Sequence, residues 1–200
     1  MNKQDWTGNT KAVFSILGSS NHVLEDREAN DYYATDPIAT KMLLQLESFE
    51  NVLEPSCGEG HISKVLENAG IKTTSSDLID RGFGTQKDFF SYDKWDGDIV
   101  TNPPYTKGKD YVSHALRIVP VGRKVAIFWK IQFLEGQSRY KTLFQKHPFK
   151  TLYVSTKRIV CAKNGEFIVN GKKISSGAVG YGWYVWERGF KGDPIIKWFN

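Results

Sequence analysis

Cysteine is scarce: the 200 residues contain two, Cys57 and Cys161, far apart and in no C-x-x-C pair. That scarcity excludes a disulfide framework and the paired ligands of a structural zinc site, and it fits a reducing compartment. No metal site is expected. Long apolar runs are missing as well. "AVFSILG" (12–18) and "VAIFWKIQFL" (125–134), the second interrupted by Lys130, both fall short of the roughly 20 residues that cross a bilayer. The amino terminus lacks the apolar core and small-residue cleavage pattern of a signal peptide, so a soluble, cytoplasmic chain with no membrane partner is expected. There is no internal repeat, low-complexity tract or P-loop sequence. Zinc enzymes, serine hydrolases and kinases are disfavoured because their ligand or nucleophile sets are absent.

What is present bounds the answer further. With 40% apolar residues the chain can bury one sizeable core, so one domain over residues 31–200 is expected, behind an irregular leader over 1–30 that mixes Asn, Ser, Gly, Lys and Glu. The 27 basic and 22 acidic residues leave a net charge of +5, which permits an anionic partner without identifying one.

The chain then alternates between strand and helix patterns. Thr35 or Asp36 can cap a helix whose first turn holds Pro37, with Ile38, Met42, Leu43 and Leu46 on one face. "NVLEP" reads as a strand, "HISKVLENAG" as a helix, and "IKTTSSD" as a strand ending at Asp77. "KDFF" reads as a short edge element and "GDIVT" as a strand ending before Asn102. "DYVSHALRIV" is helical, "RKVAIFW" a buried strand, and "SRYKTLFQK" a helix bringing Tyr140, Leu143 and Phe144 together. This alternation predicts an α/β fold with a mostly parallel sheet covered on both faces, and ligands at the carboxyl ends of its strands. Past residue 150, two Asn-Gly pairs (164–165 and 170–171), "GWYVWERG" and "PIIKW" predict antiparallel strands that complete the sheet.

Three strand ends carry chemistry. In "LEPSCGEG" a strand closes on Glu54 and runs through Pro55, Ser56 and Gly58 into a helix. Such a glycine turn lets a ligand approach the backbone, and Glu54 suits a cationic group such as an α-ammonium rather than a pyrophosphate. Asp77, about 20 residues on at the tip of the next strand, is placed to accept from ribose hydroxyls. Asp88 can accept from an adenine amine while Phe89 flanks the base. Each of these also has a plain structural reading, as a tight turn, a capping carboxylate or an ordinary surface and core pair.

"NPPY", Asn102 to Tyr105, is the most informative stretch. An exocyclic aromatic amine is a poor nucleophile because its lone pair is delocalised into the ring. Two acceptors taking both amine hydrogens favour a more tetrahedral nitrogen with its lone pair free. The Asn102 side-chain oxygen and the Pro103 carbonyl can be those acceptors, Pro103 and Pro104 keep the turn rigid, and Tyr105 offers a face for stacking the base.

On these residues the chain resembles the S-adenosylmethionine-dependent N6-adenine DNA methyltransferases, especially small phage and prophage members. "NPPY" resembles their catalytic motif, "LEPSCGEG" their first cofactor motif, "DYYATDP" the motif closing over the methionine end, and "GWYVWERGFKGDPIIKW" their tail. The resemblance implies a Rossmann-like class I methyltransferase fold with a seven-stranded, mostly parallel sheet and an antiparallel carboxy-terminal hairpin. It places Tyr33 and Thr35 by the methionine part, Glu54, Pro55, Ser56 and Gly58 around the amino acid and sulfonium, Asp77 on the ribose, and Asp88 and Phe89 on the adenine. The first motif departs from the commoner form in having Glu54 for Asp and Ser-Cys at 56–57. Only about 50 residues follow the core, so base reading falls to loops, with Lys107, Lys109, Arg139, Lys157 and Arg158 as candidate phosphate contacts on DNA. Methyl transfer to an RNA base amine or to a protein glutamine, and a non-catalytic nucleic-acid-binding subunit, remain as alternatives.

Overall fold

The computed structural model describes residues 32–163, 165–174 and 179–199, so the leader expected over 1–30 lies outside them. The chain opens on strand β1 (Tyr33–Thr35) and helix α1 (Pro37–Leu44). The Asp36 carboxylate accepts from the Ile38 amide at 3.1 Å, and Pro37 occupies the first turn, where its missing N–H has no helical partner to lose. Ala39, Met42 and Leu43 are buried, but Ile38 and Leu46 are exposed, since Ile38 sits at the open first turn and Leu46 lies beyond the helix end.

Next come β2 (Val52–Glu54), α2 (Ser63–Asn68), β3 (Thr73–Asp77), β4 (Thr85–Gln86), β5 (Ile99–Thr101), α3 (Gly108–Ile118) and β6 (Lys124–Lys130). The strands β7 (Thr151–Ser155), β8 (Cys161–Lys163), β9 (Ile168–Val169), β10 (Lys172–Lys173), β11 (Tyr181–Glu187) and β12 (Ile195–Phe199) follow. "KDFF" is not a strand: Asp88 caps a single 3-10 turn, Phe89–Ser91, and the edge strand is β4. "SRYKTLFQK" is a short turn of helix, Gln137–Arg139, that widens into a π-helical turn over Tyr140–Phe144, with Leu143 buried and Tyr140 exposed.

Eight strands form the main sheet in the order β12-β7-β11-β6-β5-β2-β3-β4. It is mostly parallel, and β11 alone is antiparallel, inserted between β6 and β7. The sheet therefore carries one strand more than the seven expected, because β12 adds in parallel at the β7 edge. β8 to β10 do not extend it. β8 pairs with β1, and β9 with β10 across the Asn170–Gly171 turn, both of whose residues have positive φ. The other expected turn, at 164–165, includes Asn164, which is outside the described residues.

Alternation along β6 shows how the core is split. Val125, Ile127 and Trp129 face the layer that holds Val112, Ala115 and Ile118 of α3, while Ala126 and Phe128 face the layer that holds Ala39, Met42 and Leu43 of α1 and Leu66 of α2. Burial on both faces requires these strands to be apolar. It leaves polar chemistry to the strand ends. Strand order runs one way from β2 through β3 to β4 and the other way from β5 to β6, so a crevice opens between β2 and β5. "EPSCGEG" and "NPPY" both begin there.

Candidate functional site

A cavity of about 310 Å³ lies over that crevice, at the small end of the roughly 300–1,000 Å³ of small-molecule sites. Tyr33, Thr35, Glu54, Ser56, Asp77, Asp88, Asn102, Pro104 and Lys107 line it, from five separate stretches of sequence.

The glycine turn forms its floor. Gly58 has φ +53°, and a Cβ there would run into the Tyr32 ring, so the position requires glycine twice over. Its amide donates to Asp77 Oδ2 at 2.8 Å, which ties the turn after β2 to the end of β3. Glu54 is 1% exposed and accepts from the Ser63 hydroxyl, which also pairs with Ser75 at 2.6 Å. Burial raises the Glu54 carboxyl well above its ordinary value of 4.5, and the Ser63 contacts only partly offset that. Pro55 is buried behind the turn, while the Ser56 hydroxyl meets the Tyr111 hydroxyl of α3 at 2.8 Å.

Asp77 is already engaged. Its Oδ1 accepts from the Ile79 amide at 2.9 Å and from Arg81 at 3.2 Å, and the Arg81 guanidinium lies 4.4 Å from the Tyr32 ring centre. Asp88 accepts from the Phe90 amide at 2.9 Å. Phe89 does not flank the cavity as expected. Its ring is 1% exposed, packed 4.6 Å from Tyr111 and 4.7 Å from His114, and Phe90 lines the cavity instead.

Asn102 is held by several contacts at the Asn-Pro-Pro-Tyr turn. Its Nδ2 donates to the Tyr33 carbonyl at 2.9 Å and to Thr35 Oγ1 at 3.0 Å, with Cys161 Sγ at 3.9 Å. A carbonyl oxygen can only accept, so the amide nitrogen must face β1 and Oδ1 must face away from it. Pro103 is buried and Pro104 lines the cavity. Tyr105 stands behind the cavity wall. Its ring stacks on Tyr33 (6.2 Å, 20°), tilts against Phe133 (5.9 Å) and has Lys130 Nζ 5.0 Å from its centre, while burial pushes its hydroxyl up.

The five basic candidates are dispersed. Lys107 reaches the cavity, Lys109 is exposed on α3, and Lys157 and Arg158 are exposed between β7 and β8. Arg139 is committed elsewhere: its guanidinium donates to the carbonyls of Phe133 and Glu135 and covers the Phe133 ring. Among the described residues no group of three or more His, Cys, Asp or Glu could hold a metal, and no helix is long and apolar enough to cross a membrane.

Sequence reasoning missed Tyr32, Arg81, Phe90 and Tyr111. Tyr111 had a signal, since it lies six residues past Tyr105 on the helix that leaves the Asn-Pro-Pro-Tyr turn. Tyr32 had one as well, since it lies inside "DYYATDP"; Arg81 had none, because its contact with Tyr32 joins residues 49 positions apart.

No family model matches the sequence, and no curated protein does. Similarity appears among solved structures. A Listeria monocytogenes protein assigned as a class I S-adenosylmethionine-dependent methyltransferase matches with a TM-score of 0.53 at 12% identity, over 94% of this chain and 71% of its own. The chain has the class I methyltransferase fold. A Pyrococcus horikoshii protein assigned as an RNA methyltransferase gives 0.53 at 14% identity, over 76% of this chain and 85% of its own. The M protein of the type I restriction enzyme EcoKI gives 0.52 at 13% identity, over 82% of this chain and 45% of the M protein. In this methyltransferase fold the cavity between β2 and β5 occupies the topological switch point, where such sheets bind their ligands.

Proposed function

We propose that this chain transfers the methyl group of S-adenosylmethionine to the exocyclic N6 amine of adenine in DNA. The observation that carries the reading is the Asn102 amide, whose nitrogen is held on β1 so that its oxygen is turned from that strand, in a cavity that also contains Glu54 and Asp77.

The residues fit the cofactor. Glu54 is a buried carboxyl whose ionised form meets no cation among the described residues, and an α-ammonium supplies one. Ser56 of the glycine turn lines the cavity where the amino-acid portion would lie, and Asp77 offers its carboxylate to the ribose hydroxyls in exchange for Arg81. Asp88 and Phe90 border the adenine end. Bound there, the sulfonium supplies an electrophilic methyl group. Asn102 Oδ1 and the Pro103 carbonyl accept the two hydrogens of the target amine and hold its lone pair toward the methyl. The proton that the amine sheds passes to solvent. In duplex DNA the base must first leave the stack, at a cost of a few kcal/mol.

DNA as acceptor is supported by the resemblance of "NPPY" and the tail to adenine-modifying phage enzymes and by the shape shared with a restriction-enzyme M protein. Residues 31–200 act as one methyltransferase domain, with the segments 106–109, 129–141 and 155–165 as the candidates for reading the target. The test is incubation with methyl-labelled S-adenosylmethionine and, separately, DNA, RNA and protein, followed by digestion. N6-methyldeoxyadenosine is the expected product. Label confined to RNA or protein moves the acceptor, and no label in any of them returns the chain to a binding role.

A further inference from the structure

We infer that Thr35 is a positioning residue that sets the direction of the Asn102 amide, an inference that rests on the methyl-transfer reading above. An amide nitrogen carries two hydrogens, and the two near acceptors here are the Tyr33 carbonyl at 2.9 Å and Thr35 Oγ1 at 3.0 Å, with Cys161 Sγ of β8 a longer, weaker contact at 3.9 Å. Both near acceptors belong to β1. Three paired residues fix that strand against β8: Tyr33 with Lys163, Ala34 with Ala162 and Thr35 with Cys161. Ala34, Thr35 and Ala162 are at most 3% exposed, so the ribbon itself is packed away from solvent. The Asp36 amide adds a bond to the Val160 carbonyl at 3.1 Å, which closes the end of the ribbon.

One acceptor is backbone and cannot be removed by a side-chain change. Thr35 Oγ1 is therefore the side-chain lever on the amide. A single bond to Tyr33 leaves the amide free to swing about that contact, while the second bond, from a different residue of the same strand, fixes its plane. Fixing the plane aims Oδ1. An acceptor that has to line up with one amine hydrogen loses its effect when displaced by a fraction of an ångström. Thr35 thus acts on the rate without touching the amine. It also explains why a three-residue strand that stands apart from the main sheet is packed over the catalytic turn.

Thr35→Val keeps the shape and removes the acceptor, and Thr35→Ser keeps the acceptor. Two readouts are measured on each: single-turnover methylation of adenine-containing DNA at saturating cofactor, and the Asn102 side-chain amide protons by nitrogen-15 NMR. Thr35→Val should slow transfer about tenfold to a hundredfold with the cofactor dissociation constant within about twofold, and one Asn102 amide proton should move and lose exchange protection. Thr35→Ser should recover most of the rate and restore that proton. In an Asn102→Ala background, Thr35→Val should cost nothing further, because the two act as a unit. Equal rates in Thr35→Val and the parent overturn the inference, and so does a rate loss matched by a loss of cofactor affinity, which would make Thr35 a direct cofactor contact. If the parent transfers no methyl group, the proposed function fails by itself, and unchanged amide protons in Thr35→Val still overturn the Thr35–Asn102 link.

Discussion

Glu54 makes the chemistry of single residues measurable. Because burial raises its carboxyl above 4.5, the folded chain keeps a proton that the unfolded chain releases as pH rises past that value. Stability present below pH 4.5 is therefore lost as pH climbs toward the raised value. Glu54→Gln copies the protonated form and escapes the loss. Thermal unfolding without cofactor should show the variant level with the parent near pH 4 and more stable at pH 7, and a constant difference across that range would contradict the assignment. Cofactor affinity should move the opposite way, falling about tenfold to a hundredfold, since a neutral amide replaces a charge partner. Asp77→Ala should lower both quantities together. Its carboxylate holds the Gly58 and Ile79 amides as well as Arg81, so calorimetry should find weaker cofactor binding by about 1–3 kcal/mol and the melting point should drop. At this scale the sequence was readable where type and place coincide. Glu54, Asp77 and Asn102 are polar residues that end apolar or β-branched runs. Phe89 and Phe90 were not separable, because adjacent rings on one 3-10 turn both pack against Tyr111 and His114, and only the three-dimensional packing leaves Phe89 buried and Phe90 at the cavity.

Elements divide the same way. β2 and β5 are buried on both faces, and β3 is rich in β-branched residues, so these strands announce themselves; the turns after β2 and β5 announce the site. The carboxy-terminal third was less legible. β8, β9 and β10 are two or three residues long and carry little pattern to specify a partner, so the sequence named the strands but not that β8 leaves the sheet to pair with β1. That β12 adds in parallel to β7 was hidden for a similar reason, since Ile195, Ile196 and Trp198 suit an interior strand and yet are exposed at the sheet edge. The glycine turn allows a test at this scale. Gly58→Ala places a Cβ at φ +53° against the Tyr32 ring, where a left-handed backbone alone costs about 1–2 kcal/mol. Cofactor binding should fall at least tenfold, and Tyr32→Ala in the same chain should recover part of it. Unchanged binding in Gly58→Ala would remove the turn from the site.

For the whole molecule, the proposed DNA reading has the dispersed lysines and arginines hold the phosphate backbone by long-range attraction rather than in one deep basic cleft. DNA affinity should fall steeply between low and physiological salt. Lys157→Glu combined with Arg158→Glu should weaken DNA binding while cofactor affinity stays constant, as read by fluorescence anisotropy at two salt concentrations; equal DNA affinity would place the nucleic-acid face elsewhere. The cofactor cavity, the β1–β8 ribbon and the Asn-Pro-Pro-Tyr turn converge on the amide of Asn102, so that residue is where the account is most exposed. The deciding measurement is single-turnover methyl transfer to adenine-containing DNA by the parent and Asn102→Ala, both saturated with labelled S-adenosylmethionine. Asn102→Ala should bind cofactor like the parent but transfer methyl about a hundredfold to a thousandfold more slowly, and methylation at the parent rate would remove Asn102 from the transfer step.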